Sequence, residues 1–195
     1  MTNAISIDAS GVTGVNLATY FSDFFAGFAS GAMSFYGGTP DSAFGGTYYM
    51  NGSQVLATLS DAAGATSEAV ILGGADLAYD MIHYGSAYGH GISGDLDSLT
   101  FGTWIDGTTT GTQGTGAAGA ITGFDAALVI EGLGLSAEAG AGSDAATNLV
   151  YATYAAVKAL DAATLQDLIS DYAINATGSA GDDVLRGFAQ DDVLT

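Results

Sequence analysis

Residues 75–101 read ADLAYDMIHYGSAYGHGISGDLDSLTF and contain both histidines of the chain, His83 and His90, with three of its ten tyrosines. Each end of the stretch has the composition of a β-strand, whereas the middle is rich in glycine, serine and tyrosine. The stretch therefore predicts two strands joined by a loop. That loop collects the side chains that could ligate a soft or borderline metal, and it is the strongest functional signal in the sequence.

The overall composition limits the partners of this loop. The chain has 195 residues, enough for one domain with a sizeable core, and 48% of them are apolar. Lys158 and Arg186 are the only basic side chains against 21 acidic ones, which gives a net charge of −19. Such a chain cannot neutralise nucleic-acid phosphates or bind an anionic membrane surface. Repulsion between copies favours a soluble monomer.

Three features bear on location. The chain has no cysteine, which excludes disulfides and thiolate metal sites. No apolar run approaches the roughly 18 residues that can span a bilayer, so no membrane insertion is expected. The first residues, MTNAISIDASG, lack the basic and apolar regions of a secretory signal peptide. Export, if it occurs, is expected to use a route that needs no N-terminal signal.

The first half of the chain predicts mainly strands. A short strand is predicted at residues 4–7 and a helix at residues 17–28, where large apolar residues recur at helical spacing behind Asn16 as N-cap. Residues 29–46, rich in glycine and serine, predict a long surface loop. Asn51-Gly52 predicts the turn of a hairpin with strands at residues 47–50 and 54–59. Further strands are predicted at residues 69–72, 77–82, 96–105 and 124–135, with a break at Gly73-Gly74 and a flexible loop at residues 108–119.

Helical periodicity returns near the C-terminus. Ser143 is a candidate N-cap for a helix that ends near Leu160, and Asp161 for a second helix with Leu165 and Ile169 on its apolar face. The short connection predicts a helical hairpin. Together the elements predict an α+β fold, a curved antiparallel sheet with helices packed on one face.

The last residues differ from the rest. Residues 178–195 read GSAGDDVLRGFAQDDVLT, and the segment from Gly181 to Leu185 resembles one nonapeptide unit of the calcium-binding RTX β-roll. A single unit has no neighbour on which to stack, so calcium binding is not expected. The sequence thus predicts a main domain at residues 1–177 and an RTX-like acidic tail at residues 178–195, truncated from a longer repeat region.

Catalysis finds little support. The sequence contains no P-loop, dinucleotide fingerprint, His-Glu-x-x-His motif or nucleophile elbow, and its two histidines and two basic residues leave few ways to build an active site. Ligand binding suits the loop better. An imidazole that shares the proton of a tyrosine, whose phenol has a pKa of about 10, gives the phenol a phenolate character suited to ferric iron. The alternative is a tyrosine packed in the core and a solvated histidine.

Four motifs carry a family resemblance that covers roughly residues 17–175. They are Gly-Ala-Asp-Leu-Ala-Tyr79, residues 90–101 from His90, Leu149-Val-Tyr151, and Leu168-Ile-Ser-Asp-Tyr172. In these motifs the chain resembles the secreted haem-acquisition haemophores of the HasA type. The resemblance implies that Tyr79 is an axial ligand of ferric haem b and that His90 hydrogen-bonds its phenol. A short insertion between the two leaves His83 as a rival for the partner role or for ligation.

The other side of the implied site departs from the family. Many members supply a second axial ligand, a histidine, from the loop after the first helix, but residues 30–46 contain none. The resemblance places Met33 near that position with Tyr36 close by, and a methionine thioether either ligates haem iron or simply lines the pocket. Tyr151 and Tyr154 are further candidates for the pocket lining.

The resemblance also implies a biological role. Haem would be held between two loops with its propionate edge in solvent, because the chain has almost no basic side chains to pair with it. The protein would be a secreted, non-enzymatic haem carrier. It would take haem from host haemoproteins and deliver it to an outer-membrane haemophore receptor, after type I secretion read from an uncleaved C-terminal signal. The alternatives are a haemophore-fold interaction or adhesion module without haem, and a fragment of a calcium-binding RTX protein.

Overall fold

A computed structural model describes residues 4–42, 48–105 and 116–195 of the chain. Within these residues the elements run, in chain order, β1 (Ala4–Asp8), α1 (Tyr20–Phe25), β2 (Ala29–Tyr36), β3 (Asn51–Ser60), β4 (Glu68–Tyr79), α2 (Asp80–His83), a 3₁₀ turn (Ser86–Tyr88), β5 (Ile92–Trp104), β6 (Gly116–Ala117), β7 (Phe124–Ala137), α3 (Leu149–Ala159), α4 (Ala162–Ser170), β8 (Ala173–Thr177) and β9 (Val193–Leu194). No helix in the described ranges is long and apolar enough to cross a membrane.

One sheet contains all the described strands, in the order β6-β2-β3-β4-β5-β7-β1-β8-β9. The strands from β2 to β1 in this order pair antiparallel. The pairs β2/β6, β1/β8 and β8/β9 are parallel, so the sheet is mixed at both edges. The predicted α+β class is therefore confirmed, and the predicted antiparallel pairing holds for the middle of the sheet.

The main core lies between the sheet and the helices. Phe101 of β5 is fully buried, and its ring lies 5.3–6.2 Å from the rings of four aromatic residues of α1. Buried residues of α3 and α4 belong to the same cluster. The opposite face of the sheet carries a separate, smaller cluster around Leu56 and Ile71. Because burial of each large apolar side chain contributes about 1.5–3 kcal/mol, the helix-covered face dominates the stability of the fold.

The first helix and the segment after it differ from the prediction. Helix α1 has only six residues and begins after Thr19. It ends at Phe25 because Ala26 is extended and Gly27 has a φ of 82°. The predicted loop at residues 29–46 was wrong over its first part, where β2 pairs with β3; residues 43–46 lie outside the described residues. Small side chains at the exposed start of β2 hid its strand character, and only its last two residues are buried.

Two residue pairs that contain glycine were wrongly predicted to be a hairpin turn and a strand break. Asn51-Gly52 lies inside β3 at a bulge, so the predicted hairpin was wrong. A Cβ on Gly52 would lie 2.0 Å from the carbonyl oxygen of Tyr36, which explains why only glycine fits. Gly73-Gly74 likewise marks a bulge within β4, which continues to Tyr79 as one strand. Both pairs signal bulges that bend a long strand.

The later predictions fared better. Strand β7 covers the predicted range 124–135, and β5 covers all but the last residue of the predicted range 96–105. Asp161 caps α4 through a hydrogen bond from the Thr164 N–H at 3.1 Å. Helix α3 begins later than predicted, because its N-cap is Asn148 and not Ser143. Of the predicted loop at residues 108–119, residues 108–115 lie outside the described ranges and residues 116–117 form β6.

Candidate functional site

Tyr79 lies at the last position of β4, where the chain leaves the sheet. Its backbone N–H donates to the carbonyl of Met50 at 2.8 Å, and the next residue starts the short helix α2. The Tyr79 side chain is partly buried against the main core, on the helix-covered face of the sheet. This position holds the backbone of Tyr79 rigidly while its side chain stays accessible.

His90 returns to Tyr79 at the end of the following loop. Gly85 and Gly89 flank the 3₁₀ turn with φ values of 111° and 75°, which let the chain reverse its direction. His90 Nδ1 is hydrogen-bonded to the Tyr79 phenol, and the His90 ring is exposed. The N–H of Asp80 donates to the carbonyl of Gly91 at 3.1 Å and closes the loop at its base. The loop thus brings an imidazole and a phenol together.

His83 is bonded elsewhere. Its Nδ1 lies 2.6 Å from Oδ1 of Asp41, whose side chain is fully buried. The same carboxylate accepts from Asn51 Nδ2 at 2.7 Å and from the Met50 N–H at 2.6 Å. Asp41 therefore ties the segment after β2 to the start of β3 and to α2. The two histidines therefore have different partners: His90 is bonded to the Tyr79 phenol, and His83 is bonded to the Asp41 carboxylate.

A second buried carboxylate supports the same loop from the other side. Asp80 is completely buried and accepts from the Ser93 hydroxyl at 2.5 Å and from the Gly140 N–H at 3.0 Å. Asn148 adds a further tie, because its Nδ2 donates to the carbonyl of Ile92 at 3.0 Å. The base of the Tyr79–His90 loop is thereby fixed to β5 and to the segment before α3.

Helix α3 brings two more phenols to this region. The rings of Tyr151 and Tyr154 have centroids 6.4 Å apart. Burial, with smaller contributions from the neighbouring Tyr79 and Tyr151 phenols, raises the pKa of Tyr154 to about 12. Tyr154 therefore keeps its proton at neutral pH and offers a neutral, largely apolar surface beside Tyr79.

The two candidates on β2 lie on opposite faces of the sheet. Met33 packs against the main core, on the same face as Tyr79, and β2 contacts α3. Tyr36 is buried in the cluster on the other face, which separates it from Tyr79. The expectation that Tyr36 lies close to the site is therefore corrected, because the alternation of side chains along a strand turns it away.

Sequence reasoning missed the two buried carboxylates. Asp41 and Asp80 stand among 21 acidic residues, most of which have no distinguishing neighbours in the sequence. The partners of Asp41 are 9–42 positions away, so no local pattern marks it. The partners of Asp80, Ser93 and Gly140, are likewise 13 and 60 positions away, so no local pattern marks it either.

Fold and site together define a class of protein. An open sheet with helices on one face presents a strand-end phenol paired with an imidazole, next to further phenols of a helix. Among the described residues, no group of three or more histidines or acidic side chains could hold a metal ion by itself. Together, the fold and these contacts define a candidate ligand site on a mixed sheet, which offers one phenol oxygen donor paired with an imidazole.

Comparison of structures places this fold beside the HasA haemophores. The apo structure of the hemophore HasA from Yersinia pestis matches with a TM-score of 0.50 and 16% sequence identity, over 85% of this chain and 88% of that chain. A HasA mutant monomer from Yersinia pseudotuberculosis matches with a TM-score of 0.48 and 14% identity over the same shares. No family model and no curated protein sequence matches the chain. The likeness confirms a HasA-like fold.

Proposed function

We propose that the protein binds ferric haem, with Tyr79 as the axial ligand and His90 as the partner of its phenol. The observation that carries the proposal is the hydrogen bond between the Tyr79 phenol and His90 Nδ1. When His90 carries its proton on Nε2, Nδ1 accepts the phenol proton and increases the negative charge on the oxygen. A phenolate of this kind is an established ligand of ferric haem iron.

The donor set fits haem better than a free metal ion. One phenol is too few ligands for a bare cation, since protein sites for zinc or calcium use four or more. Haem brings four nitrogens of its own and needs one or two axial donors from the protein. The chemistry of the site therefore favours a metal that arrives with its equatorial ligands in place.

The surroundings of Tyr79 suit the flat, apolar part of haem. Tyr151 and Tyr154 of α3 line one side, and Met33 is a pocket residue that could contribute a weak second ligand. The chain offers few basic partners for the propionates: Lys158 is exposed in the last turn of α3, and Arg186 lines a cleft against α4. The propionate edge of haem is therefore proposed to face solvent between the two loops.

The wider role follows the haemophore resemblance. We propose a secreted carrier without catalytic activity that captures haem, including haem from host haemoproteins, and delivers it to an outer-membrane receptor. The HasA-like fold supports this role, and the net charge of −19 suits a soluble, monomeric carrier. The proposed export route, type I secretion with an uncleaved C-terminal signal, follows from the same resemblance.

One observation favours a second candidate, a haemophore-fold module that binds a protein partner and no haem. Residues 30–46 contain no histidine to serve as a second axial ligand. The Tyr79–His90 pair opposes this candidate, because an interaction surface does not require a phenol paired with an imidazole.

A haem titration separates the two candidates. Ferric haem added to the purified protein should produce a shifted Soret band and a tyrosinate charge-transfer band, both saturating at one haem per chain. An unchanged haem spectrum would contradict haem binding and leave the interaction module. A spectrum typical of histidine ligation would keep haem binding and remove Tyr79 as the ligand.

His90→Ala should make haem binding depend on alkaline pH. Ligation requires the phenol to lose its proton, which His90 can accept; without His90 the proton must pass to water, so binding weakens at neutral pH and recovers as pH rises. The measurement is the charge-transfer absorbance across a pH series. His83→Ala is the matched control and should keep the wild-type profile, because His83 is bonded to Asp41. The opposite result would exchange the roles of the two histidines.

A further inference from the structure

The C-terminal residues contain two aligned nine-residue units. Residues 178–186 read GSAGDDVLR and residues 187–195 read GFAQDDVLT, identical at six of nine positions. Sequence reasoning recognised only one unit and expected it to lack a neighbour for stacking. The structure shows both units packed against the main domain, with Leu185 and Phe188 partly buried against the core.

The sixth residue of each unit makes the same two backbone contacts. Asp183 accepts from the N–H of Ser179 at 2.8 Å, within its own unit, and from the N–H of Val15 at 3.0 Å. Asp192 accepts from the N–H of Phe188 at 2.6 Å and from the N–H of Ile174 at 2.9 Å. Each carboxylate therefore joins its own turn to a segment of the main domain.

The first residue of each unit must be small for this contact to form. A Cβ on Gly178 would lie 2.3 Å from Oδ2 of Asp183, and a Cβ on Gly187 would lie 2.2 Å from Oδ2 of Asp192. Both distances are shorter than any real carbon–oxygen contact. The position of the aspartate in each unit thus requires a glycine at the first residue, which explains why both residues recur in the two units.

The N-terminal segment supplies the neighbour for the first unit. A Cβ on Gly181 would lie 1.8 Å from the carbonyl oxygen of Thr13, so the two turns are in direct backbone contact. The N–H of Val184 donates to the carbonyl of Val15 at 2.7 Å, and the N–H of Leu17 donates to the carbonyl of Val184 at 3.1 Å. The segment from Thr13 to Leu17 therefore acts as the preceding coil.

Strand β8 does the same for the second unit. Val193 and Leu194 of β9 pair in parallel with Asn175 and Ala176 of β8. The N–H of Thr195 donates to the carbonyl of Ala176 at 2.9 Å and extends the pairing by one residue. The backbone of each unit thus pairs with a segment of residues 1–177. Beside each pairing, Asp183 or Asp192 joins its own unit to that segment, and these two aspartates are called the bracket residues.

We propose that residues 13–17 and β8 form a docking surface for nonapeptide coils, that residues 178–195 occupy it, and that Asp183 and Asp192 fasten them without calcium. The hydrogen bonds that these carboxylates already accept argue against a role as calcium ligands. Asp183 already accepts two N–H groups and the Ser179 hydroxyl at 2.6 Å, whereas calcium needs six to eight oxygen ligands facing the ion. Each carboxylate instead holds its unit in place by accepting hydrogen bonds from backbone N–H groups.

The repeat itself provides matched controls for a test. Asp182 and Asp191 precede the bracket residues, carry the same charge and are exposed. Amide hydrogen exchange of the full chain is measured for residues 184–185 and 193–195, in EGTA and in calcium. Asp183→Ala should speed exchange at residues 184–185, and Asp192→Ala at residues 193–195, by at least about tenfold, since each substitution removes two backbone hydrogen bonds to a carboxylate. Asp182→Ala and Asp191→Ala should leave both segments unchanged.

Calcium should not alter exchange of these residues in the wild-type chain. Protection that appears only with calcium would overturn the proposal, and so would equal effects of the bracket and control substitutions. If Asp183→Ala does not fold, Asp183→Asn carries the same test, because it keeps one acceptor oxygen and should give an intermediate exchange rate.

Discussion

Tyr79→Phe is expected to lower the affinity for ferric haem by more than about 100-fold and to remove the tyrosinate charge-transfer band. Loss of an outer-shell partner of a metal ligand costs about 10–100-fold in affinity, and loss of the ligand itself should cost more. The substitution removes one oxygen and keeps the ring that packs against the core. The fold should therefore survive, and the effect can be read from a haem titration followed by absorbance.

Tyr151→Phe is the matched control, because it removes the same hydroxyl from a phenol in the same region. Its ring lies near Tyr154, whose pKa is raised mainly by burial, with smaller contributions from Tyr79 and Tyr151. The control should change affinity by only a few fold and keep the charge-transfer band. Met33→Ala should also have a smaller effect than Tyr79→Phe. Equal losses in all three variants would mean that haem binds by burial alone and that Tyr79 is not the ligand.

The sequence predicted this part of the site because its signals are local. Tyr79 ends a strand that its apolar residues predict, and the glycines after it predict a loop that can bring His90 back to Tyr79. The resemblance then assigned the roles. The position of Tyr36 was missed for a local reason as well: once residues 29–36 are read as a loop, the alternation that turns Tyr36 to the other face is lost.

The fold was predictable where side chains alternate clearly and unpredictable where glycine sets the geometry. Strand β7 and the start of α4 follow ordinary apolar spacing and capping. Gly52 and Gly74 belong to bulges. Glycine is required at these positions because the carbonyl oxygens of Tyr36 and Asp95, from other parts of the chain, leave no room for a Cβ. Such contacts leave no signal in a local window, because the same glycine also suits a turn.

The docked tail shows the same limit at longer range. The repeat was visible, but its neighbour is Thr13–Leu17, about 170 residues earlier in the chain, as the Val15–Asp183 separation of 168 residues shows. Nothing near the repeat indicates that partner. Pairing of an N-terminal coil with a C-terminal repeat also places both ends of the main domain at one edge of the sheet, where β1, β8 and β9 are adjacent.

Asp41→Ala is expected to lower the free energy of unfolding by about 3 kcal/mol, the usual cost when one partner of a buried charged network is removed. The substitution removes the acceptor of His83 Nδ1 and of the Met50 N–H, and it leaves Asn51 Nδ2 with only the carbonyl of Thr39. Urea unfolding measures the loss. Asp95→Ala is the matched control, an exposed aspartate on β5 that should change stability by less than about 0.5 kcal/mol. An equally small change for Asp41→Ala would show that water replaces the carboxylate.

A double-mutant cycle then isolates the contribution of His83. His83→Ala should cost less than Asp41→Ala, because Asp41 keeps its bonds from Asn51 and Met50. The double variant should be more stable than the sum of the single losses predicts, by about 1–2 kcal/mol, as expected for directly bonded partners. Haem bound to Asp41→Ala should keep the tyrosinate band, since the Tyr79–His90 pair shares no hydrogen bond with Asp41. Loss of that band would mean that Asp41 sets the position of the ligand as well as the stability of the loops, and that the two histidines act as one network.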